Sequence, residues 1–202
     1  DKADRVITRI MPMCRERGGT WLAKGLDKLG LVRMKQHRPH DSLATFKELE
    51  QVVPFSPDQS WEFYDILYRN LALCYSLLDD CEKRLEYTRK SVEVKRNHSI
   101  PPTWFDIWDL GNAHGRLSQK TKQRGETLVA YNLIVKAGKI HRQAEPKSKK
   151  MLAKLLTNAG EVAIGMGDSY RSQDNETEAF RWYQKAELLF CESYQLFYNA
   201  SG

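Results

Sequence analysis

Five histidines, four cysteines and one lysine-rich stretch hold most of the reactive chemistry this sequence offers. His37 and His40 stand three residues apart, a spacing that suits zinc, but no cysteine or carboxylate series accompanies them to complete a ligand shell. His114 lies among the small residues of a helical segment and reads as a packing histidine rather than a base. Cys14, Cys74, Cys81 and Cys191 form no Cys-x-x-Cys pair and read as buried, reduced thiols. Gly18-Gly19 and Gly165-Met166-Gly167 lack the pattern of a phosphate-cradling loop, and no nucleophile elbow, His-Glu-x-x-His or paired-carboxylate arrangement is recognisable. Neither catalysis nor a cofactor or metal is expected.

Positive charge concentrates in KAGKIHRQAEPKSKK, where Lys136, Lys139, Arg142, Lys147, Lys149 and Lys150 could meet phosphates. With a formal net charge of +6, that makes RNA or another polyanion an alternative partner. The stretch lacks aromatic residues for base stacking and Glu145 interrupts it, so a solvated connector is the leading reading. The Asn-x-Ser/Thr triplets at Asn97, Asn175 and Asn199 read as chance occurrences.

A hydrophobic content of 41% suffices for a core. No apolar run is long enough to span a bilayer and no signal-peptide pattern opens the chain, so a cytoplasmic protein is expected, with a nuclear one as the alternative. The sequence starts at Asp1 without methionine, as a fragment or regulatory domain of a larger enzyme would. Between breaks at Pro54–Pro57, Pro101-Pro102 and Pro146, apolar residues recur at three- and four-residue spacing, which predicts an all-α chain. Ser56, Pro57 and Gln59 predict one helix start, Thr103 with Asp106 a second, and Asp41 a cap for the segment holding Phe46.

The helical segments repeat. LDKLGLVRM, YRNLALCYS, IWDLGNAHG and LTNAGEVAI each carry Leu or Ala just before a small residue, Gly30, Ala72, Gly111 or Gly160, and an apolar residue four before it. A second helical segment follows each, with Phe46, Tyr87, Tyr131 or Tyr183 at a comparable place. A small residue lets the second helix approach closely and the aromatic fills the space beside it. Single hairpins of this kind leave apolar surface bare, and stacking them buries it.

In these segments the chain resembles the tetratricopeptide repeat family. NLALCYSLLDDCEKRLEYTRKSVEV is among the best matches, as is NAGEVAIGMGD with EAFRWYQKAELL, where Gly160, Gly167, Asp168, Ala179, Tyr183 and Ala186 occupy consensus slots. The resemblance implies a right-handed superhelical array of about four helix-turn-helix repeats. They would span about 20–55, 61–98, 103–142 and 147–192 of a single domain over 1–202, with 1–19 as a leading helix or cap and 193–202 as the end.

It further implies that the first helices line a concave groove. Carried over, the register places Lys24, Lys28, Arg69, Asn70, Trp108, Asn112, Arg116, Lys154 and Asn158 there as partner-binding candidates. Asparagines offer donor and acceptor together to an extended backbone, and the cations suit acidic side chains. Recognition of tails ending in Glu-Glu-Val-Asp is disfavoured, because Asp27, Leu31, Phe105 and Asp109 stand where cations or asparagine are wanted. The function implied is a non-catalytic scaffold or adaptor that holds an extended or acidic peptide segment of another protein.

Overall fold

The computed structural model describes residues 2–53, 60–143 and 148–198. Among them are nine α-helices and no strand. The chain divides into two compact units, Asp1–Ile100 and Pro101–Gly202. The first holds α1 (Lys2–Arg17), α2 (Gly19–Lys35), α3 (Pro39–Val52), α4 (Trp61–Leu77) and α5 (Cys81–Asn97); the second holds α6 (Trp104–Thr121), α7 (Arg124–Gln143), α8 (Lys149–Arg171) and α9 (Glu176–Tyr198). Within each unit consecutive helices pack on one another, so α2–α3, α4–α5, α6–α7 and α8–α9 form four hairpins.

Three hairpin turns are built alike. His37, Asp79 and Asp174 take left-handed backbone at φ 57°, 57° and 56°. The next residue's N–H reaches back to close the helix: Arg38 to Arg33 O at 3.0 Å, Asp80 to Tyr75 O at 2.9 Å, Asn175 to Tyr170 O at 3.1 Å. Histidine and aspartate tolerate this region better than most side chains, which is how the turns form without glycine. The third hairpin differs: Lys122 at φ 59° bonds to Ser118 O at 2.8 Å.

Thr103 and Asp106 form the expected capping box at the start of α6. Asp41 does not cap α3. That helix starts earlier, at Pro39, and Asp41 sits in its first turn bonded to Arg38 at 2.7 Å. The start signal at Ser56, Pro57 and Gln59 lies outside the described residues.

The first unit's core joins Leu26, Phe46, Leu49, Tyr64, Leu67, Leu71 and Cys74. Ser42, fully buried, donates to Gly30 O at 2.9 Å and lies 3.4 Å from Cys74 Sγ, linking α3 to α2 and α4. Asp65 is a buried carboxylate satisfied by Ser91 at 2.5 Å, Arg69 at 3.0 Å and Lys95 at 3.2 Å, which joins α4 to α5. In the second unit Ile107, Ala137 and Leu155 form one cluster and Ala163, Met166, Trp182 and Ala186 another. Cys14, Cys74 and Cys81 are buried, but Cys191 is exposed, because α9 turns that face to solvent.

The expected pairing of small and aromatic residues holds at the first hairpin, where a Cβ on Gly30 would stand 2.6 Å from Phe46 Cζ. In the third and fourth hairpins it shifts. Gly111 faces Ile134, while Tyr131 packs on Trp182 with centroids 4.9 Å apart. In the fourth hairpin Gly160 faces Phe190, and the residue against Tyr183 is Gly167. Seven residues are about two helical turns, so the shift moves the contact along α8 without rotating the helix to another face.

Candidate interaction face

Four of the nine predicted binding residues meet in the second unit. Trp108 and Asn112 are one turn apart on α6, and Lys154 and Asn158 are one turn apart on α8. The Trp108 ring is half-buried against the Ile107–Ala137–Leu155 cluster, and Phe105 meets it edge-on at 5.5 Å. Lys154 Nζ lies 5.0 Å from the ring centre, a cation–π contact.

Asn158 ties the two helices together. In the amide orientation that satisfies both ends, its oxygen accepts from Trp108 Nε1 at 3.1 Å and its nitrogen donates to Lys154 O at 3.1 Å. In the other orientation the nitrogen donates to Asn112 Oδ1 at 3.3 Å. The first leaves no indole N–H and no amide end unpaired, so it is the better assignment.

The face continues along both helices at three- to four-residue spacing, into a cleft of about 430 Å³ lined by Gly115 and Gln119 of α6 and Glu161, Gly165 and Ser169 of α8. A Cβ on Gly115 or Gly165 would face α7, 3.7 Å from Ala130 and 3.9 Å from Thr127. Asp168, also on the cleft, accepts from the Tyr183 hydroxyl at 2.7 Å, and that bond raises the Tyr183 pKa above its ordinary value. The sequence pattern did not place the cleft, because it follows from the side-by-side register of α6 and α8.

No protein-family profile matches this sequence, and no curated protein matches it either. Solved structures do match. A crystal structure of MamA shares 14% identity over 95% of this chain and 89% of that one, with a TM-score of 0.54. The Podosopora anserina putative kinesin light chain with nearly identical TPR-like repeats shares 9% over 93% and 85%, at 0.58. BtubC (BKLC) from P. vanneervenii shares 11% over 100% and 92%, at 0.52. The fold is that of a tetratricopeptide-like helical repeat.

In this TPR-like chain the remaining candidates are dispersed. Arg116 is exposed on α6. In the first unit Lys24 and Lys28 are exposed on α2, with Lys28 Nζ 3.0 Å from Asp27. Arg69 is held by Asp65, and Asn70 Nδ2 is buried without a hydrogen-bond partner. Of the basic candidates, Lys136 and Lys139 are exposed on α7 and Lys149 and Lys150 on the first turn of α8, while Arg142 pairs with Glu192. Lys147 lies outside the described residues.

His114 is buried and bonded to Glu126 of α7, in keeping with a packing role. Trp104 packs on His141 at 4.7 Å and Trp182 is buried under Tyr131. No helix among the described residues is long and apolar enough to cross a membrane.

Proposed function

We propose that this chain is a non-catalytic protein-interaction scaffold whose α6–α8 face holds an extended segment of a partner protein. The observation that carries the reading is the convergence of Trp108, Asn112, Lys154 and Asn158, contributed by two helices, beside a cleft of mixed polar and apolar lining. Trp108 supplies a fixed apolar platform. Asn112, with Asn158 committed to Trp108 and Lys154, offers a carboxamide that can both donate to and accept from a peptide backbone whatever the side chains are. Lys154 adds a cation at the rim for a carboxylate on the segment.

The test is an array of immobilised random-sequence peptides probed with wild type, Trp108→Ala and Asn112→Ala. A common set of bound peptides, lost or weakened about tenfold in both variants, supports the reading. Identical binding by all three proteins overturns it. So does binding of random RNA that falls steeply with salt and requires Lys149 and Lys150, which moves the function to the basic segment.

A further inference from the structure

The first unit carries a separate surface of its own. α1 and α2 run antiparallel, with Met11 and Cys14 packed on Gly25 near their joined ends. At the other end the two helices flank an open cleft of about 810 Å³. It is lined by Ala3, Val6 and Ile7 from α1, Leu31 and Val32 from α2, and Lys2, Lys28 and Lys35. Val6 is 55% exposed, a large apolar side chain left in water on this surface.

The charged residues that line this cleft are all lysines. Lys28 is accompanied by Asp27, but among the described residues Lys2 and Lys35 have no carboxylate partner, and all three ammonium groups belong to side chains exposed beside apolar surface. Such a rim repels a basic partner and favours an acidic one. An apolar groove between two helices suits the apolar face of an amphipathic helix laid along it.

We propose that the α1–α2 cleft docks an acidic amphipathic helix of a partner protein, its apolar stripe on Val6, Ile7, Leu31 and Val32 and its carboxylates on Lys2, Lys28 and Lys35. Lys28 and Lys35 are two turns apart on α2, roughly 10 Å along the axis, so partner carboxylates seven residues apart pair with both. Every residue involved belongs to the first unit, and the inference does not rest on the α6–α8 reading.

The experiment uses the full chain and a fluorescein-labelled, alanine-rich helical peptide of about 18 residues. It carries Leu at i, i+3, i+4 and i+7 with Glu on both flanks, beside a control with Lys replacing every Glu. Anisotropy is expected to show binding of the acidic peptide only, weakened by salt, and weakened about tenfold by Lys28→Gln with Lys35→Gln and by Val6→Asp. These positions are exposed, so the variants keep their helical circular dichroism. Trp108→Ala is expected to leave this binding unchanged while weakening peptide capture by the α6–α8 face by about tenfold or more. Equal binding of both peptides overturns the proposal, as does indifference to the three substitutions. Failure of the peptide to bind, with lysine-dependent binding to phosphatidylserine vesicles instead, assigns the cleft to a lipid surface and also overturns it.

Discussion

Lys154 Nζ stands 5.0 Å over the ring of Trp108, so a cation from α8 covers an aromatic face that α6 presents. The contact holds both side chains in place before any ligand arrives. Because the pair is partly exposed, its own worth is about 0.5–1 kcal/mol. Lys154→Gln should therefore lower stability by no more than about 1 kcal/mol, and Lys154→Arg should retain it, since guanidinium also stacks on indole. Urea denaturation followed by tryptophan fluorescence measures both. A loss for Arg equal to that for Gln would show that the cation does not act through the ring.

Glycines of α2 and α7 should respond in opposite directions to alanine. A Cβ on Gly30 would stand 2.6–2.9 Å from three ring atoms of Phe46, which is itself fully buried and has no room to retreat. Overpacking of this sort costs about 1–3 kcal/mol, more than the roughly 1 kcal/mol of helix propensity that alanine returns. Gly138, within α7, has nothing within 4 Å of its Cβ position. Gly138→Ala should raise stability by about 0.5–1 kcal/mol. Thermal melts of the two variants beside wild type should move to opposite sides of it.

That contrast also marks how far the sequence could be read. Helix periodicity, the Thr103–Asp106 box and the recurrence of small residues defined the hairpins, because each is local chemistry. The partner of each small residue is not local: it depends on the register of two helices, and of the three glycine pairings Gly30–Phe46 alone followed from spacing. α8 runs 23 residues, long enough to offer both Gly160 and Gly167, and sequence spacing favoured the wrong one against Tyr183. The face survived that error because seven residues are nearly two whole turns. The cleft of α1 and α2 had a faint signal, Val6 and Ile7 one turn from Lys2 and Ala3, which the repeat pattern did not include.

Acid should weaken α5 through Glu86. Hydrogen bonds from Lys83 at 2.7 Å and Lys90 at 2.9 Å hold its carboxylate, bringing its pKa down from 4.5 to about 2. A depressed folded-state value means the carboxylate contributes stability above pH 4.5, and that this contribution is lost as pH falls toward 2. The side chain is 40% exposed, so solvent screening limits the contribution to about 1 kcal/mol. Glu86→Gln should be less stable than wild type by about that much at pH 7, with the gap closing between pH 4.5 and 2. A gap that stays constant with pH would assign it to packing rather than charge.

Thiol reactivity should separate Cys191 from the other three cysteines. Cys191 is exposed on α9, whereas Cys14, Cys81 and Cys74 are 4%, 7% and 0% exposed. Burial also raises the Cys74 pKa, which further depletes the thiolate that reacts. In native buffer a disulfide reagent such as dithionitrobenzoate should titrate one thiol rapidly. The remainder should follow only as the helices open, at rates that rise with urea, and Cys74 should come last because α3 and α4 must part to expose it. Cys191→Ser should remove the fast phase and leave the slow ones unchanged. A fast phase that persists in this variant would mean that one of the buried thiols is reached without unfolding, and would contradict the packing of α1, α4 and α5, which carry them.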